Sequence, residues 1–187
     1  MDISKFKTHD WLVIGGAAIF LIFGFMSWIS VEVQGGGISV SSGAGNVFDF
    51  FWTGTIPWIL VMASAVVTVL VVQGTLSKDQ APWPLIILAA TGLAALLLII
   101  RLVFNPLDDG GLGGFGGIEY KRGIGMILSA VGGIVAAAGG VMGFTASGGS
   151  MSDLTDMNKM KAAFDKGDGN PGPADGGSNM PPPPPPM

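Results

Sequence analysis

Arg101 is the charged side chain with the most to explain in this sequence, because it directly follows Leu96-Leu-Leu-Ile-Ile inside an apolar run. At the centre of a bilayer an arginine costs about 2.5–3.5 kcal/mol on insertion scales, and less near a helix end. It therefore needs a route to water or a partner. One reading is snorkelling of the guanidinium to the headgroups. The other is an ion pair with Glu32 or Asp49, both of which precede the second apolar run; a role in transport or catalysis ranks third. Other chemistry-bearing residues are sparse. Cysteine is absent and His9 is the single histidine, which excludes thiol–disulfide exchange and multi-histidine metal ligation within one chain. Aspartate and glutamate are missing from the interior of every apolar run, so a proton-coupled exporter and an aspartate-based intramembrane protease lack their working groups. Asp108-Asp109 is followed only by glycine and supplies no cluster of metal ligands. Gly111-Leu-Gly113-Gly-Phe-Gly116 fits G-x-G-x-x-G. It has neither the strand and helix around it nor the acidic ribose ligand that dinucleotide binding needs, so it reads as low-complexity glycine. The expectation is a protein that is not an enzyme, with no cofactor and no metal.

The elements that must position these residues are four long apolar runs, at 11–31, 56–73, 83–104 and 123–146. About 20 helical residues at 1.5 Å rise cover the ~30 Å hydrocarbon core, so each run is long enough to span. Composition agrees: 49% of residues are hydrophobic, 12% are charged, and the mean hydropathy is +0.60, whereas a soluble domain is nearer one quarter charged. The net charge is -4 without any basic stripe, which argues against a nucleic-acid partner. The bilayer is the expected environment. The expected fold is all-α: an antiparallel four-helix transmembrane bundle with a small external cap and a disordered C-terminal tail. Lys5 and Lys7 precede a first run too long for a cleaved leader and without a small-residue cleavage site, so that run reads as a retained anchor.

Orientation follows from lysine and arginine. Lys5, Lys7, Lys78, Lys159, Lys161 and Lys166 fall on one side, against Arg101, Lys121 and Arg122 on the other. This places residues 1–10, the 74–82 link and both termini in the cytoplasm of a multi-pass protein of the cell membrane. Trp11, Trp28, Trp52, Trp58 and Trp83 fall at or near the ends of spans, as interfacial anchors do. In the first external loop, 32–55, alternating segments flank a triple glycine and predict a small hairpin, followed by the aromatic cluster Asn46-Val-Phe-Asp-Phe-Phe-Trp. The second external loop, 105–122, is glycine-rich. In the juxtamembrane segment 147–166, Ser152 is a candidate N-cap with Asp153 and Asp156 in the first turn of an amphipathic helix. Residues 167–187 end in a proline run and read as disordered.

The fourth run carries small residues at helix-packing spacing: Gly125, Ser129, Gly133 and Ala137 on one line, and Gly132, Ala136 and Gly140 on a second. Such residues let membrane helices approach closely. One of these faces packs within the bundle; the second offers a site for a membrane-protein partner or a homo-oligomer. In Trp28-Ile-Ser, Asn46-Val-Phe-Asp, Trp58, the glycine-rich last helix and the Asp/Lys plus Pro/Gly tail, the chain resembles uncharacterised small four-pass membrane proteins of high-GC Gram-positive bacteria. That resemblance implies location and architecture and carries no activity. The function expected is a non-catalytic accessory subunit or assembly factor of a larger membrane or envelope complex. The alternative is a small transporter or oligomeric channel.

Overall fold

The computed structural model describes residues 3–35, 38–77, 80–104 and 118–165. Most of the glycine-rich loop and the proline tail lie outside the described residues. The chain is mostly helical, and three stretches are long and apolar enough to cross a membrane: Phe51–Val72, Trp83–Val103 and Ile124–Ala146. The main helices are α1 (Thr8–Gly24), α2 (Ile56–Val72), α3 (Trp83–Val103), α4 (Ile124–Ala146) and a short α5 (Met157–Asp165).

The first apolar run forms a shorter helix than the expected 11–31, and it is not among the three stretches long enough to cross. α1 has 17 residues, about 25 Å at 1.5 Å per residue. The chain turns at Phe25–Trp28 and enters strand β1 (Ile29–Gly35), which pairs antiparallel with β2 (Ile38–Ala44). Ile29-Ser-Val-Glu-Val alternates at period two with β-branched residues, and this strand pattern overrides the continuous hydropathy. A third strand, β3 (Ile118–Arg122), lies where the sequence predicts only a glycine-rich loop. It pairs antiparallel with β1, from Ile29↔Arg122 to Val33↔Ile118, giving the order β2-β1-β3.

Local chemistry sets the helix boundaries. α2 and α3 open with proline in the first turn, where the missing N–H has no intrahelical partner to lose. Ahead of α2, Phe51–Thr55 is a π-turn, with the Thr55 N–H donating to the Phe50 carbonyl at 3.0 Å. A Cβ at Gly54 would stand 2.1 Å from the Val47 carbonyl oxygen, so only glycine fits this turn. At the start of α4, the Gly123 and Gly125 N–H groups donate to the Trp28 and Ser27 carbonyls at 2.9 and 3.1 Å. The turn after α1 thereby satisfies donors that a helix N-terminus leaves orphaned. In the juxtamembrane segment the cap differs from expectation: α5 begins at Met157, not after Ser152. Asp156 accepts from the Asn158 and Lys159 N–H groups, while Ser150 caps a 3-10 turn at Met151–Leu154. Asp156 takes the cap because its carboxylate reaches two N–H donors at once.

α4 is the hub of the packing, against α1 on one side and α3 on the other; α2 contacts α1 and α3 and barely meets α4. Close pairs run in opposite senses along the helices: Gly139 lies against Val13, Gly132 against Gly16, and Gly125 against Met26. Likewise Gly140 lies against Leu88 and Thr91, and Gly133 against Leu98. α4 is thus antiparallel to both neighbours. The fully buried large side chains (Phe20, Trp28, Val47, Val61 and Leu98) gather toward the sheet end. The hydroxyls of Ser64, Thr68 and Thr91 donate to carbonyls four residues back in their own helices, at 2.7–2.8 Å, which satisfies them inside an apolar interior.

Candidate functional site

The two ends of the helix cluster are built differently, and each gathers a distinct set of polar groups. At the sheet end Arg101, in the last turn of α3, is only 6% exposed. Its Cζ lies 4.2 Å from the centroid of the Phe50 ring, and Phe50 in turn stacks on Trp28 at 5.9 Å. Among the described residues Arg101 pairs with neither of the two candidate carboxylates. Glu32 is bound to Lys121 across the β1–β3 pairing, and Asp49 accepts from the Asn46 N–H at 2.7 Å as part of a capped turn. Each carboxylate has a nearer claim than Arg101. The guanidinium is stabilised instead by the face of Phe50 and by its position at a helix C-terminus, where the peptide dipoles favour a cation. Its Nε, like the indole N–H of Trp28 and Trp58 and the Ser129 hydroxyl, is buried without a hydrogen-bond partner among the described residues.

The tryptophans divide. Trp52 is 72% exposed and Trp11 49%; Trp58 and Trp83 are half-buried. Trp28 is fully buried in the core beneath the sheet. It cannot reach a headgroup, so its assignment as an interfacial anchor is corrected: the turn after α1 folds it inward against Phe50. Sequence position near a span end could not distinguish the two fates.

Both small-residue lines of α4 are occupied inside the chain. Cβ atoms at Gly125 and Gly132 would stand 2.8 Å from the Met26 and Gly16 carbonyl oxygens, and Ala136 is fully buried against Gly16. Gly133 and Gly140 face Leu98 and Thr91 of α3; Ser129 is fully buried and Ala137 half-buried. What α4 presents outward is a row of larger residues, including Ile127, Val131, Ile134 and Met142. The matching residue on α1, Gly16, was missed in the sequence, although Gly15-Gly-Ala-Ala is a visible small-residue signal.

The opposite end holds a cavity of about 760 Å³, walled by the first turns of α1 and α3 and the last turns of α2 and α4. Its apolar wall includes Val13, Val71, Leu85, Ile87 and Phe144, its small floor is Gly139, Gly140 and Gly143, and Lys5, Lys7, His9 and Asp10 contribute polar groups. Asp10 is buried; its Oδ2 accepts from the Lys7 N–H at 2.8 Å and its Oδ1 lies 3.5 Å from His9 Nε2. α2 barely meets α4, and Gly139, Gly140 and Gly143 keep the α4 side low, which leaves the space between them unfilled. Spacing along one chain does not reveal a gap between two helices, so the sequence reading did not find it. The signal present was the Lys5-Phe-Lys7-Thr-His9-Asp10 segment ahead of α1.

The sequence matches no family model, and neither a curated protein nor a solved structure matches it.

Proposed function

We propose that the protein is a non-catalytic accessory subunit of a larger assembly in the cell membrane. In this reading α1 to α4 form an antiparallel four-helix transmembrane bundle, with both termini cytoplasmic and the sheet outside. Support for α1 as the fourth span is its close approach to α4 from His9 to Phe20. Support for the orientation is that Lys5 and Lys7 lie at the end opposite the sheet.

The observation that carries the accessory reading is the outer edge of β2. β1 covers one edge of this seven-residue strand, and no neighbour pairs with the other among the described residues. Exposed Ser41 and Ser42 stand there, without the lysine or proline that commonly blunts an edge. Such an edge accepts an extended segment of a partner by strand addition. Because the chain has no cysteine, Ser42→Cys gives a single reactive position. Cross-linking from that position to one stoichiometric protein in native membranes is the expected outcome. A Ser42→Cys chain that gives no cross-linked product there, or a chain that purifies without any partner, would sink this reading.

A small transporter is the second reading, and the cavity at the Lys5/Lys7 end favours it. Solute flux through liposomes containing only the purified chain would establish it in place of the first.

A further inference from the structure

We infer that the cavity at the Lys5/Lys7 end binds one anionic phospholipid, with hydrocarbon between α2 and α4 and the phosphate at the mouth. This goes beyond the accessory reading and does not depend on it. The volume of about 760 Å³ lies in the range of sites that enclose a small molecule, roughly 300–1,000 Å³. Inside, the lining offers little to a polar ligand. Thr68 is spent on the Ser64 carbonyl at 2.8 Å, and the rest of the depth is valine, leucine, isoleucine, phenylalanine and glycine. A hydrocarbon chain matches that depth, and a soluble anion does not.

The mouth has the opposite character. Lys5 and Lys7 are exposed, and His9 is packed beside Gly143. Asp10, the one acidic residue of the lining among the described residues, is already engaged: one carboxylate oxygen takes the Lys7 N–H and the other faces His9. The lysine charges are therefore available to an incoming anion, and a neutral lipid would leave them unused. Trp83 fixes the depth of the mouth, since its indole N–H donates to the Ser77 carbonyl at 2.9 Å. Indole rings favour the headgroup boundary, where the surrounding leaflet supplies amphiphiles. Apolar depth, a basic rim and a boundary position together select a phospholipid of net negative charge.

The test uses the purified full chain in detergent, with bound lipid counted by native mass spectrometry against phosphatidylglycerol, phosphatidylcholine and glycerol phosphate. One phosphatidylglycerol per chain is expected, with phosphatidylcholine retained more weakly and glycerol phosphate not competing. Reversing both lysines, Lys5→Glu with Lys7→Glu, is expected to weaken phosphatidylglycerol at least about tenfold, since each lysine near a charged headgroup contributes on the order of a kcal/mol. These side chains are exposed, so helicity and thermal stability stay at the parent level. Val72→Trp, which fills the apolar wall, is expected to weaken both lipids. Equal retention of the two lipids, competition by glycerol phosphate, or an unchanged affinity after charge reversal would each overturn the inference.

Discussion

At the scale of single residues, Arg101 shows how far a side chain's fate depends on groups distant in sequence. From sequence it required a counter-charge or an escape to water, and Glu32 and Asp49 were the acids in reach. In the structure a ring takes that place, because Lys121 and the Asn46 turn hold both acids elsewhere. A double-mutant cycle between Arg101→Leu and Phe50→Leu, followed by unfolding in detergent, is expected to show coupling of about 0.5–2 kcal/mol. The cycles of Arg101→Leu with Glu32→Ala and with Asp49→Ala are expected to add within about 0.5 kcal/mol. Need for a partner was legible in the apolar run around Arg101. The identity of that partner was not, since it rests on the π-turn that carries Phe50 over the guanidinium.

At the scale of elements, adjacent glycines on α1 separate propensity from packing. A Cβ on Gly16 would stand 2.5 Å from both the Ala136 nitrogen and the Gly132 carbonyl oxygen, whereas one on Gly15 meets nothing within 4 Å. Gly16→Ala must push two backbones apart and is expected to destabilise by about 1–3 kcal/mol. Gly15→Ala is expected to be neutral or to stabilise by up to about 1 kcal/mol through lower backbone entropy in the unfolded chain. Thermal unfolding of the two variants side by side checks the contrast; equal effects would mean that α1 and α4 do not touch there. The small-residue lines of α4 were readable as packing faces, but the sequence could not say that α1 and α3 would occupy both. The juxtamembrane turn adds a pH dependence. The ammonium of Lys159, bound to Asp153 at 2.7 Å, together with the Ser150 N–H, holds the Asp153 carboxyl below its ordinary value of 3.8. A depressed carboxylate stabilises the fold above its unfolded value, and the effect is lost as pH falls through the lower folded one. The protection factor of the Ser150 amide, its exchange relative to an unstructured chain at the same pH, is therefore expected to stay constant near neutrality and to fall only below about pH 4; a fall already at pH 6 would assign the turn to other forces.

At the scale of the whole molecule, hydropathy located the helical segments because burial in lipid imposes one demand on every residue of a span. It mis-set the end of α1, where a strand's β-branched residues look as apolar as a helix's. The sheet depends on β1 meeting β3 and the cavity on a gap left between α2 and α4, segments distant in sequence, so no local window contains them. The same long-range closure bears on how the protein is made. Glu32 and its partner Lys121 are 89 residues apart, and the principal neighbour of the first helix is the last long one. At ribosomal speeds of about 5–20 residues per second, roughly 4–18 s separate the two halves of that contact. Through this interval the nascent hairpin has a second open edge and the notch at Gly16 is unfilled. β3 closes the first and α4 fills the second, so the early segments have their final partners only once the chain has been made through the last long helix.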